Sequence, residues 1–315
     1  MNTLIRLIGR RLVALPLMIL GVTFLVFVLM SLSPIDPAYS ALGENATPAA
    51  LEAYRENHGL NDPWIVQFGS YVAGLLQGDL GTYGVGEDSV SAKVFTALPI
   101  TMQLTFIGLF IAIIFSFPLG VLAALYRDRW PDQVIRIVSI ACLATPSFWL
   151  AILLILVFMG KLPVAGALPA FGDDPAGWFQ RMLLPSFALA VPVIGQMTRI
   201  VRTSMVEELD NDYVRTALGA GIPKHIVVSR NVLRNALITP VTVLGLRVGY
   251  LMGGAVVIEI IFNLPGMGRV LIDGITQNWV TVVQGATLVV AIAFIIVNIV
   301  VDLLYILINP RIRTV

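Results

Sequence analysis

Charge is what this chain has least of. Only 12% of its 315 residues are Asp, Glu, Lys or Arg, about half the share usual for a soluble domain. With 57% hydrophobic residues and a mean hydropathy of +0.88, a water-soluble globule is excluded and a polytopic membrane protein is indicated. Net charge is +1, so the bulk balance implies neither nucleic acid nor an acidic partner. A single cysteine, Cys142, lies in an apolar run. It excludes an intramolecular disulfide and a cysteine metal site and reads as a small packing residue. The only histidines, His58 and His225, fall on opposite sides of the membrane in the topology below and cannot share a metal. There is no Walker-A phosphate loop, no HExxH and no GxSxG, so neither P-loop ATP binding nor those hydrolytic sites are available. No catalytic residue and no metal ligand is expected. The first apolar run is too long for a signal-peptide core and lacks a small-residue cleavage pattern, so it reads as retained.

What the chain has instead is apolar runs. About 20 apolar residues cross a bilayer core, and six runs meet that length, at 11–32, 98–125, 134–159, 183–205, 237–259 and 285–308. The fold class is all-α with six transmembrane helices. Residues 1–32 form the amino terminus and first span, 33–97 an extracytoplasmic helical segment, 98–308 a five-span core, and 309–315 a tail. If the amino terminus is inside, fourteen of the 20 Lys and Arg residues fall on the inside and five outside, with Arg247 within a span. This positive-inside bias places both termini in the cytoplasm.

Segment 33–97 carries structure of its own. Thr47 caps a helix that begins at Pro48 and ends near Gly59. A second helix starts at Asp62-Pro63 and stops at Gly78, with turns at Gly78–Gly81, Gly84 and Gly86. Its Trp64, Phe68, Tyr71 and Leu75 share one face, suited either to the membrane interface or to packing on the spans. Asn45-Ala46-Thr47 matches a glycosylation sequon by chance.

Inside the spans, polar and helix-breaking residues mark candidates. Thr101 and Thr105, with Gln103 off their line, need a protein or cavity partner. Pro146 should kink the third span. Pro185, Pro192, Gly195 and Gln196 interrupt the fourth, either as hinges and pathway lining or as the breaks membrane helices tolerate. Arg247 needs a partner: a substrate carboxylate, Glu259, Asp302 or a residue of another subunit. Glu259 is about three turns away on the same helix, too far for direct pairing.

The stretch 212–237, DYVRTALGAGIPKHIVVSRNVLRNAL, is the one long basic interruption in the apolar second half. Two helical runs flank Gly221-Ile222-Pro223. Gly221 supplies a left-handed cap, and Pro223 suits the first turn of the next helix. Ile226, Val227, Arg230, Leu233 and Arg234 divide apolar from basic faces. The element is either a knob offered to a soluble partner or an amphipathic connecting loop. Its Ala217, Gly221 and Leu233, with the flanking Asp212–Ala217 and Leu233–Leu237, resemble the EAA loop of ABC-importer permeases. The sequence has Arg215, Asn231 and Arg234 where the full pattern has Glu, Ile and Pro, a variant similar to the dipeptide, oligopeptide and nickel subfamily. The resemblance implies a coupling helix that docks into a cytoplasmic ATPase through Arg215, Ala217, Gly221, Pro223, Lys224, His225, Arg230, Leu233 and Arg234.

The outer loop Phe262–Arg269, FNLPGMGR, closely resembles the subfamily's FxLPGxGR segment. This implies that Leu264, Pro265, Gly266, Gly268 and Arg269 face the outer pathway, with Gln103, Pro146, Gln196, Arg247 and Glu259 as further pathway or gate candidates. Asn278-Trp279-Val280 replaces the family's Asp-Tyr-Pro. The resemblance covers essentially the whole chain. It implies one permease subunit of an importer for short peptides, with nickel chelate or glutathione as alternatives. The implied partners are a second homologous permease, two ATPases holding ATP and Mg, and an extracytoplasmic binding protein, in a bacterial inner membrane. This chain binds no cofactor on that reading. From another class, a secondary transporter using intramembrane charges would be built on Arg247 with Glu259 or Asp302, but no inverted halves are evident.

Overall fold

The computed structural model describes residues 2–34, 36–43, 46–84 and 86–308, with side chains described within 13–301. Asn45 of the sequon, the tail 309–315, and the side chains of Arg6, Arg10, Arg11 and Asp302 lie outside the described residues. Helix α1 (Asn2–Ser31) leads to α2 (Pro37–Leu42), α3 (Pro48–Asn57), α4 (Trp64–Leu76) and a hairpin of β1 (Thr82–Tyr83) and β2 (Asp88–Ser89). The core follows: α5 (Val90–Leu125), α6 (Trp130–Ala144), α7 (Ser147–Phe158) and α8 (Pro175–Leu209). Next come α9 (Asp212–Gly219), α10 (Lys224–Ile226), a π-helical turn (Val227–Val232) and α11 (Leu233–Ala236). Helices α12 (Ile238–Phe262), α13 (Met267–Thr276) and α14 (Val280–Ile308) complete it.

Helix α8 is the axis of the bundle. Its most apolar window is 78% buried, against 17–39% for the other long apolar helices. Helix α5 runs parallel to it, with Gly108 against the Ser186 carbonyl and Gly120 against Val201 and the Thr198 carbonyl. The core gathers Leu104, Met182, Leu189, Met197, Leu251 and Ile258 from α5, α8 and α12. Helix α12 lies along α14, where Gly245 meets Val301 and Gly249 meets Phe294. Much of α1 is exposed, including Val13, Leu17 and Leu25, as suits a lipid-facing helix.

The third expected span is not one kinked helix. Helices α6 and α7 meet at 99°. Thr145 (φ −78°, ψ 117°) and Pro146 (φ −64°, ψ 132°) are both extended. Proline disfavours the helical region in the residue before it, and two successive extended residues turn the chain. Contacts along α8 show that the pair nevertheless crosses the bundle. Asp132 meets Arg202, the Cys142 region of α6 lies against Gly195, and the exit loop at Val164 and Gly166 meets Arg181. Those α8 positions span 21 residues, roughly 32 Å of helix rise, about one hydrocarbon core.

The fourth span also differs from expectation. It begins at Pro175, capped by the Asp174 carboxylate accepting from Gly177 N–H at 2.9 Å, and Pro185 and Pro192 sit inside a continuous helix. The breaks are the tolerated kind. In the outer segment the expected caps are present: Thr47 Oγ1 accepts from Ala50 N–H, and Gly59 and Gly78 have positive φ. The aromatic face of α4 packs on α1, with Phe24 against Trp64 and Phe68, and Phe27 against Phe68 and Tyr71. Asp36 caps α2 and pairs with Arg55 of α3 at 2.5 Å.

Candidate functional site

At one end of the bundle, α9 to α11 form a compact element packed on α5 and α8. Its inner side joins Val214, Val227, Val232 and Ala236 to Ala124, Val201 and Met205. Ala217 and Leu233 pack against the same cluster. The second run, expected as one helix, is interrupted by the π turn. Valines five apart then both face inward, a spacing that an i→i+5 turn accommodates. Pro223 sits at the cap before Lys224 rather than within the first turn. Gly221 has φ +82°, the left-handed region that only glycine enters at little cost. The outward side shows Arg215, Lys224, His225, Arg230 and Arg234 around exposed Leu218 and Ile222, an apolar centre with a basic rim.

Beneath the element, the α5–α6 turn is anchored to α8. Asp132 has no exposed surface, and Arg202 donates to both its oxygens, Nε and Nη2 each at 2.6 Å. The Asp128 N–H adds a third bond at 2.9 Å. Arg127 reaches Asp210, the residue after α8, at 2.8 Å. Above this anchor a cavity of about 440 Å³ opens between α6, α8 and α12, lined by Leu143, Gln196, Arg199, Thr203, Glu207 and Thr239.

The opposite end is closed by a carboxyl group. Glu259, in the last turn of α12, has no exposed surface. Its Oε1 accepts from the Thr101 hydroxyl of α5 at 2.6 Å, and Oε2 from the Gly268 N–H at 2.7 Å. Thr101 Oγ1 in turn accepts from the Met267 N–H at 2.8 Å. These N–H groups open α13 and have no partner within that helix. A Cβ on Gly266 would collide with the Glu259 carboxyl, and one on Gly268 with Val256 backbone. The glycines of the loop are therefore room for the carboxyl group. Beside this clasp, Arg181 is 2% exposed and donates to the carbonyls of Val164 (2.8 Å), Gly166 (2.6 Å) and Phe262 (3.0 Å). It ties the α7–α8 connection to the end of α12. An open groove of about 570 Å³ runs past Tyr83, Lys93, Pro265, Arg269 and Asp273. Lys93 lies 4.7 Å from the Tyr83 ring and 4.6 Å from the Trp279 ring, within cation–π range.

Residues 116–314 match the family described as "binding-protein-dependent transport system inner membrane component", and residues 4–105 match its amino-terminal companion model. The chain belongs to this family of permeases. A Brucella abortus protein provisionally named as a peptide transport system permease is 39% identical over 303 residues, 95% of this chain and 96% of its own. The glutathione transport system permease protein GsiC of Salmonella choleraesuis is 39% identical over 304 residues, 96% of this chain and 97% of its own. A solved amino acid ABC transporter shares the fold, with a TM-score of 0.50 at 15% identity, over 70% of this chain and 94% of that one. This permease is thus the membrane component of an ABC importer, a class that works with a substrate-binding protein and an ATPase.

In the permease, the coupling candidates named from sequence come together on one element. Seven face outward, whereas Ala217 and Leu233 hold the element to α8. The pathway candidates do not form one site. Gln196 lines the cavity; Gln103, Pro146, Pro265 and Arg269 are exposed. Glu259, Leu264, Gly266 and Gly268 are buried in the clasp, where Gly266, with Pro265 and Arg269, also borders the outer groove. Arg247 is half-buried, beside Tyr250. Sequence reasoning counted Arg181 as an outer-loop cation and missed the Asp132–Arg202 pair. The Asp-Pro at 174–175 was the signal that α8 starts early enough to contain Arg181.

Proposed function

We propose that this permease forms half of a pathway importing short peptides, driven by ATPases that grip the 212–236 element. The observation that carries the reading is that element: a basic surface with an apolar centre, turned at Gly221 and packed on the bundle through Val214, Val227, Val232 and Ala236 against Ala124, Val201 and Met205. Six crossings make half a pathway, so a second homologous permease and two ATPases complete the assembly. The positive-inside bias supports cytoplasmic termini and a cytoplasmic docking element. The permease makes and breaks no bond. Its contribution is to favour outward- and inward-open states by turns as the ATPases close and open.

The peptide reading is supported by the Brucella relatives, and the equal identity to GsiC favours glutathione as the second reading. A self-sufficient secondary transporter leaves the docking element unexplained. The first experiment is mass spectrometry of what co-purifies with the tagged chain from its native membrane. A second permease and P-loop ATPases, lost when Arg230 and Arg234 are changed to Glu, are the expected result. A lone chain, or partners unaffected by the reversal, refutes the reading. Uptake of labelled tripeptide against labelled glutathione then separates the two substrates.

A further inference from the structure

Among the described residues, each fully buried charge in this permease has its own partner, whereas one half-buried charge has none. Asp132 has Arg202, Glu259 has Thr101 and Gly268, and Arg181 has three carbonyls. Arg247 has no acidic partner, and its Nε is buried without a hydrogen bond. Its one close companion is the Tyr250 ring, 5.9 Å away. Arg247 lies about 13 Å along α12 from Ile238, with about 22 Å remaining to Phe262. That depth is near the middle of a core about 30 Å thick, too deep for the side chain to snorkel to water. A charge at such a depth faces a cavity or a partner rather than lipid.

The helix geometry narrows the partner. The contact with α14 runs through Gly245 and Gly249, roughly 160–200° around α12 from Arg247 at 100° per residue. Arg247 therefore points away from α14. It lies instead on the flank of an exposed stripe formed by Thr239, Leu246, Tyr250, Gly253, Val257 and Ile260. That stripe begins in the 440 Å³ cavity, which Thr239 also lines. A Cβ at Gly253, about 9 Å further along the helix, would meet nothing within 4 Å, so the stripe is open there as well.

We propose that Arg247 is a substrate-binding residue that holds the α-carboxylate of the solute midway across the membrane. The proposal rests on the import reading above and deepens it. Peptides and glutathione share this group, and a planar guanidinium binds a carboxylate through two parallel N–H bonds. A lysine keeps the charge but not the fork, whereas glutamine keeps neither.

The test uses the intact complex of permeases and ATPases in detergent, without binding protein, and saturation-transfer NMR of millimolar tri-alanine, its carboxyl-terminal amide, and glutathione. The wild-type complex is expected to give a tri-alanine or glutathione signal at least five-fold above that of the amide. Arg247→Gln should lower the acid signal to that of the amide, and Arg247→Lys should retain at least half of it. Which acid gives the larger signal identifies the preferred solute. An acid signal equal to the amide signal in wild type, or unchanged in Arg247→Gln, overturns the proposal. So does loss of the second permease from Arg247→Gln on gel filtration, which would assign the guanidinium to a subunit contact. Absence of ATPases from the wild-type preparation is scored before any ligand is added, and it overturns the import reading.

Discussion

Replacing Glu259 by alanine removes one residue and disconnects three elements. The substitution leaves the Thr101 hydroxyl and the Gly268 N–H, both buried, without an acceptor. Each orphaned donor costs about 1–3 kcal/mol. The space above Gly266 and Gly268 also empties, which adds a cavity term. The expected loss is about 3–5 kcal/mol, or roughly 6–15 °C in melting temperature for a chain of this size. Glutamine is a milder probe. It offers one acceptor oxygen where two donors converge, so one donor remains unpaired, at about 1–3 kcal/mol. The assay is built into the protein. Cys142 is the only thiol, half-buried on α6 beside Gly195, so a thiol-reactive fluorophore reports unfolding of the core from a single position. Melting in the order wild type, Glu259→Gln, Glu259→Ala is expected. A Glu259→Ala protein that melts within 2 °C of wild type, a bound taken from the same conversion, would refute the account of the clasp.

Three further outcomes follow from other contacts. Asp132→Ala leaves a mostly buried Arg202 unpaired and should destabilise by about 3–5 kcal/mol, with Asp132→Ala/Arg202→Met recovering much of it; the Cys142 melt measures both. Gly221→Val forces a β-branched residue to φ +82°, a strain of about 1–2 kcal/mol. It should weaken ATPase co-purification while leaving the Cys142 melt nearly unchanged. In the outer segment, burial pushes the Asp36 carboxyl up, but hydrogen bonds from Arg55 and the Ala38 N–H, with the Arg55 charge, outweigh it and hold it below its usual value. The stability from a lowered carboxyl is present above the unfolded value of about 3.9 and is lost as pH falls through the folded value. Limited proteolysis between α2 and α4 should therefore be slow at pH 7 and rise below about pH 4, a difference that Asp36→Asn abolishes.

What was legible from sequence was local. Thr47, Gly59, Gly78 and Gly221 act within a turn of where they stand, so their side chains and φ angles announced the helix ends. Pro146 announced a bend, but its 99° size depended on Thr145 also being extended. The clasp was only half legible. Thr101 was read as needing a partner, but Glu259 lies 158 positions away, and no pattern within one segment joins them. The same separation hid Asp132 from Arg202, 70 positions apart. The family motif marks the positions of Glu259 and the loop glycines and not their orientation. Only packing reveals that the glycines are spaces for a carboxyl group.

The burial of α8 has a consequence for how the protein is made. Of the five long apolar helices it is the least apolar, and it carries Arg181, Gln196, Arg199 and Arg202 along its length. Its arginines lie toward the two ends rather than at the centre, where a charge would cost about 2.5–3.5 kcal/mol, but its low hydropathy makes α8 the weakest of the five as a client for the insertion machinery. Its neighbours α5 and α6 precede it in synthesis and already carry the surfaces it needs: Asp132 for Arg202, and the close-packing faces at Gly108 and Gly120. The order of the genetic message thus suits assembly, since the earlier helices are in place to receive the one that enters least readily.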